Sequence, residues 1–144
     1  LNVIFAQFMK GRKSGEVDAF AQIPDVIVLR ASKDYGFYSR MSKAERNMQK
    51  KEHDNILENI FEHVYKKHDV SVVVLDELTS AYEYNQVDRA KIGYLMENHD
   101  GVELVITGRN PDEALIKYAD YITEMKKIKH PFDSGISARE GIEY

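Results

Sequence analysis

Val72-Val73-Val74-Leu75-Asp76-Glu77-Leu78 is the stretch on which the fold is read. Four aliphatic residues in a row, without polar alternation, indicate a strand covered on both faces, the habit of parallel sheets flanked by helices. Asp76 and Glu77 then fall at its carboxyl end, where open α/β sheets place their ligands. A second strand end of this kind is Val105-Ile106-Thr107-Gly108-Arg109, an apolar run closing on a glycine and a guanidinium suited to phosphate. Acid for a metal and a fork for phosphate together point to a nucleoside triphosphate site.

Working outward, strands are expected near Val3, Val26, Val72, Val102 and Tyr121, the last over Asp120–Met125. Between them the sequence predicts a short helix over Glu16–Gln22 and a long one from Ser42 to about His68. Ser42 and Glu45 have the spacing of a capping box. The polar middle of the long helix, Gln49–Asp54, is expected to project past the sheet. Further helices are expected near Leu78–Tyr82, over Val87–Glu97, and from Pro111 through Tyr118. Alternating strands and helices give an α/β fold with an open, mainly parallel sheet. At 144 residues one domain covering 1–144 is expected.

Composition narrows the function. A hydrophobic fraction of 43% and a charged fraction of 31% belong to a globular chain rather than a disordered one. No apolar run approaches the roughly 20 residues of a transmembrane helix, so no membrane partner is expected. The lack of cysteine removes disulfides, thiolate zinc sites and thiol catalysis, and fits a cytoplasmic location. A net charge of −4 argues against nucleic acid as the main partner. Lys10, Arg12 and Lys13, and again Lys126, Lys127 and Lys129, still offer local positive potential to a polyphosphate. The five histidines have no metal-ligand spacing and are expected on the solvated surface. Leu1 opens directly into a strand, so further residues are expected before it.

Each candidate has a plainer alternative. Asp76-Glu77 suits an acid pair that holds the magnesium of a nucleotide, or simply a strand end favoured by the dipole of the next helix. Thr107-Gly108-Arg109 is also common turn chemistry. Tyr35, Phe37 and Tyr38, in a loop between Ala31 and Arg40, suit a lid packed on the long helix or a wall for a flat, apolar ligand.

Taken together, Gln7-Phe8-Met9-Lys10-Gly11, Gly15-Glu16, Val74-Leu75-Asp76-Glu77-Leu78, Ile106-Thr107-Gly108-Arg109, Ala119-Asp120 and Lys129-His130-Pro131-Phe132-Asp133-Ser134-Gly135-Ile136 occur in one order and spacing. With these motifs the chain, through Gly141-Ile142-Glu143-Tyr144, resembles the P-loop type of corrinoid adenosyltransferase. The resemblance implies a P-loop NTPase or RecA-like three-layer sandwich that transfers the 5′-deoxyadenosyl group of ATP to the cobalt of a reduced corrinoid and releases tripolyphosphate. It also implies Mg2+ on Asp76 and Glu77, with Glu77 and Arg109 as catalytic residues. Gln7, Lys10, Glu16, Asp76, Glu77 and Arg109 would bind the nucleotide, and Tyr35, Phe37 and Tyr38 the lower corrin face. A homodimer served by an electron-donating flavoprotein is implied as well.

Two departures stand out. Relatives often carry Phe and Trp one residue apart in the aromatic loop, whereas this chain has no tryptophan. It also lacks the Gly-x-x-Gly-x-Gly-Lys-Thr-Thr loop that precedes the first strand in such enzymes, so the N-terminal strand and P-loop are expected to be missing. Their loss would weaken MgATP binding and leave apolar surface along the Val3 and Val72 strands. A non-catalytic corrinoid- or nucleotide-binding module is the competing reading. Another P-loop ATPase would not explain the Lys129–Gly135 tail.

Overall fold

Four short β-branched and aliphatic runs form one sheet, in a computed structural model that describes residues 1–11, 15–99 and 101–139. The strands are β1 (Val3–Gln7), β2 (Val26–Arg30), β3 (Val72–Asp76) and β4 (Glu103–Ile106). All pairings are parallel and the order across the sheet is β2-β1-β3-β4. Five α-helices accompany them among the described residues: α1 (Gly15–Phe20), α2 (Lys43–Phe61), α3 (Leu78–Glu83), α4 (Arg89–Glu97) and α5 (Glu113–Ile116). The expected α/β fold with an open parallel sheet is thus present, flanked by helices on both faces. Arg12, Lys13 and the closing Gly141-Ile142-Glu143-Tyr144 lie outside the described residues.

Local chemistry fixes the helix starts. Ser42 and Glu45 form the expected capping box, with Glu45 N–H on Ser42 Oγ at 3.3 Å and Ser42 N–H on the Glu45 carboxylate at 2.8 Å. Asp88 caps α4 through the N–H groups of Ala90 and Lys91. Asp112 caps α5, so Pro111 precedes the cap instead of sitting in the first turn. Beyond Phe61, residues Glu62–Lys67 widen into a π-helical turn that stops at His68 in the left-handed region, φ 51°.

Parallel register sorts the strand side chains onto two faces. Ile4 and Ala6 of β1 and Val73 and Leu75 of β3 are fully buried in the main core with Ile56, Leu57 and Ile60 of α2 and Ile92 and Leu95 of α4. Val3, Phe5, Val72 and Val74 point the other way and are half-buried, with Phe20 of α1 packing its ring 4.9 Å from that of Phe5. Val105 on the same face of β4 is 44% exposed. The apolar surface expected along the Val3 and Val72 strands therefore lies on one face only, since both strands are paired on each side.

Three expectations are corrected. Asp120–Met125 forms no strand: Tyr121 is 95% and Met125 94% exposed, and the segment pairs with neither edge of the sheet. Alternating β-prone residues give a side-chain preference, but a strand needs a second backbone to bond. The polar middle of α2 does not project past the sheet either, because Gln49 and His53 are buried. His53 likewise departs from the expected solvated histidines. Both residues continue the inward stripe of Ile56, Ile60 and Val64 by helical spacing.

Candidate active site

The carboxyl ends of β1, β3 and β4 meet at one edge, and each breaks into a positive-φ residue there: Met9 at 57°, Glu77 at 56° and Gly108 at 143°. For the two non-glycine residues this costs on the order of 1 kcal/mol each, the kind of strain that gathers at functional edges. Gly108 has no substitute, since a Cβ would lie 2.0 Å from Thr79 Oγ1. The Thr79 hydroxyl donates to the Arg109 carbonyl at 2.8 Å, which ties the β4 exit to α3 and leaves the Arg109 side chain at the same edge, exposed.

Register places Gln7 beside Asp76. The Gln7 amide donates to Asp76 Oδ2 at 3.2 Å, and the Thr107 hydroxyl donates to Asp76 Oδ1 at 2.8 Å. Thr107 Oγ1 in turn accepts from the Glu77 N–H at 3.1 Å. Thr107, read from sequence only as a strand end, is therefore the hinge of the acid pair. Gln7 is fully buried, yet its Oε1 has no protein partner among the described residues. Glu77 occupies the cap position of α3, but its side chain accepts no cap bond, and the Ser80 hydroxyl reaches its carboxylate at 3.4 Å. The plain capping role weighed for this residue is thus not made by hydrogen bonding. Lys10 pairs with Glu16 at 2.8 Å.

Among the described residues no group of three His, Cys, Asp or Glu converges on one point. What the edge does offer is one carboxylate, a second acid beside it, and a buried amide oxygen wanting a donor or a cation. That set fits Mg2+, a hard ion that keeps several waters and takes one or two carboxylates.

Next to this edge lies an open cavity of about 490 Å³, with Met9, Phe37, Tyr38, Arg46, Ser80 and Tyr84 in its walls. The Tyr38 and Tyr84 rings stack in parallel, 4.4 Å between centroids and 2° between planes. The Arg46 guanidinium sits 4.3 Å from the Tyr38 ring centre and donates to the Tyr38 carbonyl at 3.2 Å. Phe37 is 63% exposed at the rim. Tyr35 is held elsewhere: its hydroxyl donates to Glu52 of α2 at 2.6 Å, a bond that pushes its pKa up to about 12. A smaller hollow of about 230 Å³ shares Met9, Gly36 and Phe37 and adds Lys10 and Gly11, joining the aromatic side to the charged side. Gly11 admits no side chain, because a Cβ there would meet the Lys33 carbonyl oxygen at 2.3 Å.

The structure thus gathers Gln7, Asp76, Glu77 and Arg109 at one sheet edge, with Lys10 and Glu16 joined beside it and Phe37 and Tyr38 across Met9. Sequence reasoning missed His53, which lies beneath this arrangement. Met9 N–H donates to His53 Nε2 at 3.2 Å, and Nδ1 faces the Gln86 carbonyl at 3.0 Å. Burial lowers its pKa to about 4, against the pull of the Gln86 carbonyl and of Asp54 and Glu52. The available signal was its place on the helical stripe.

Comparison with known proteins follows the same line. A model of the family described as ATP:corrinoid adenosyltransferase BtuR/CobO/CobP matches residues 1–144. A protein of Sinorhizobium sp named corrinoid adenosyltransferase is 45% identical over 76 residues, 51% of this chain and 36% of its own. One of that name from Pseudomonas aeruginosa is 29% identical over 146 residues, covering 100% of this chain and 70% of its own. Another from Escherichia coli is 35% identical over 77 residues, 52% of this chain and 39% of its own length. The matches with the first and third of these span well under half of each relative.

Proposed function

We propose, on the premise that this chain belongs to the ATP:corrinoid adenosyltransferase BtuR/CobO/CobP family, that it serves transfer of the 5′-deoxyadenosyl group of ATP to the cobalt of a reduced corrinoid. The observation that carries this reading is the juxtaposition, across Met9, of the Gln7–Asp76–Thr107 cluster with an aromatic-walled cavity. In the reaction proposed, Co(I) supplies both electrons of the new cobalt–carbon bond. The bond from C5′ to oxygen breaks, and its electron pair leaves with tripolyphosphate. The protein need then supply neither acid nor base, and its work is positioning and charge.

In this reading Asp76 and Glu77 would hold Mg2+, with the buried Gln7 beside them fixing the Asp76 carboxylate through its amide. The ion, when bound, neutralises phosphate charge. Arg109 and Lys10 add positive potential for the leaving polyphosphate, with Glu16 holding Lys10 in place. Phe37 and Tyr38 press on one face of the corrin and exclude an axial ligand, while Tyr35 anchors their loop to α2 through Glu52. A homodimer in the cytoplasm, supplied with electrons by a flavoprotein, belongs to the same proposal. No helix among the described residues is long and apolar enough to cross a membrane.

Glu77→Gln in the full-length protein is the test. A metal-facing acid contributes charge rather than packing, so transfer should fall about tenfold or more while the unfolding midpoint stays put. The visible spectrum of the alkylated corrinoid reads the rate. Unchanged turnover at limiting Mg2+ and ATP would reject the role.

A further inference from the structure

Two walls of the cavity meet on one buried ring. Met9 lines both hollows and stands in a left-handed conformation that a methionine does not choose unaided. Its N–H ends on His53 Nε2 at 3.2 Å. The other ring nitrogen meets the carbonyl of Gln86, two residues beyond Tyr84, at 3.0 Å. A backbone N–H can only donate and a carbonyl can only accept, so Nε2 presents its lone pair and Nδ1 carries the proton. Both partners are satisfied only by the neutral ring in that one tautomer. The ring has no exposed surface, and Phe8 meets it edge-on at 5.3 Å. The next residue of α2, Asp54, accepts the Asp88 N–H at 3.1 Å, so the same helix clamps the loop behind Tyr84 a second time.

We propose that His53 is a positioning residue of the crevice, holding the Met9 turn at the end of β1 and the Tyr84–Gln86 turn at the end of α3 at a fixed spacing. Acting through Met9, it also sets the direction in which Lys10 leaves β1. The naming of the ligand as a corrinoid rests on the function proposed above, whereas the clamp itself does not.

The experiment compares full-length wild type with His53→Leu, which keeps bulk and loses both bonds, and His53→Gln, whose amide can accept from Met9 and donate to Gln86. Nitrogen NMR of the wild type should detect a coupling across the hydrogen bond between the Met9 amide nitrogen and His53 Nε2. His53→Leu should raise the dissociation constant for a Co(II) corrinoid and the KM for that substrate about tenfold, with kcat at saturation changed less than threefold. His53→Gln should restore both to within about threefold of wild type. A cooperatively folded His53→Leu protein with wild-type affinity overturns the proposal. If the leucine variant does not fold, absence of the Met9–His53 coupling in the wild type overturns it instead, and its presence together with rescue by glutamine upholds it. A wild type that binds no corrinoid defeats the proposed function. The clamp is then judged by the coupling and by whether His53→Leu shifts the Met9 and Tyr84 signals together.

Discussion

The two faces of the sheet are built from the same four strands and do different work. On one, Ile4, Ala6, Val73 and Leu75 are fully buried under α2 and α4. On the other, Val3, Phe5, Val72 and Val74 are half-covered, and the face ends in Gln7 and Asp76, whose side chains share one hydrogen-bonded cluster. Stability is concentrated where packing is complete. The candidate site lies where the less covered face runs out, with Asp76 half-buried and Gln7 fully buried beneath it. The difference teaches that a fold can hold a strained, polar edge when the opposite face supplies the hydrophobic burial.

The sharpest way to break this comparison is to truncate one residue on each face. Leu75→Ala should cost about 3 kcal/mol or more in denaturant unfolding, as a fully buried leucine leaves a cavity. Its neighbour Val74→Ala should cost about 1 kcal/mol, since that side chain already meets solvent. Equal losses would mean that both faces are packed alike.

Acid tests the polar layer under the edge. His53 has its pKa lowered from 6.5 to about 4, so the unfolded chain takes up this proton before the folded one does. The contribution is complete above about pH 6.5, declines as pH falls toward about 4, and is constant below. Its full size is roughly 3 kcal/mol. His53→Gln should flatten the stability profile over that window, and a profile identical to wild type would remove the histidine from the account. The smallest effect is expected at Val105→Thr on the open face, within about 0.5 kcal/mol, because the residue is 44% exposed. A large loss there would mean that this face is covered in solution.

The sheet was legible because Val72–Leu75 is an unbroken aliphatic run, the habit of strands in parallel sheets with helices on both faces, although the Val72 and Val74 face is only half covered. The acids after it were legible for the same reason, since strand ends follow from strands. Asp120–Met125 was misread because alternation records a side-chain preference and says nothing about whether a partner backbone is at hand. His53 and Gln49 were misread by residue type, although their spacing from Ile56 and Ile60 placed them on the inner stripe. Phe37 and Tyr38 line the cavity, whereas Tyr35 bonds to a carboxylate seventeen positions away, Glu52. No local pattern carries that information. Thr107 was visible only as a strand end because its role arises from the Asp76 carboxylate and the Glu77 N–H, both thirty or so positions away.

The central claim is that a flat corrin sits against Phe37 and Tyr38 beside the Asp76–Glu77 edge. It is tested most directly by titrating the full-length protein with a Co(II) corrinoid in the presence of MgATP and following the visible spectrum, in wild type and in a Phe37→Ala, Tyr38→Ala double variant. The account predicts a spectral change in the wild type that reports loss of an axial cobalt ligand, and binding about tenfold weaker or worse, without that change, in the variant. The same spectrum and the same affinity in both proteins would contradict it, and the aromatic loop would then be packing alone.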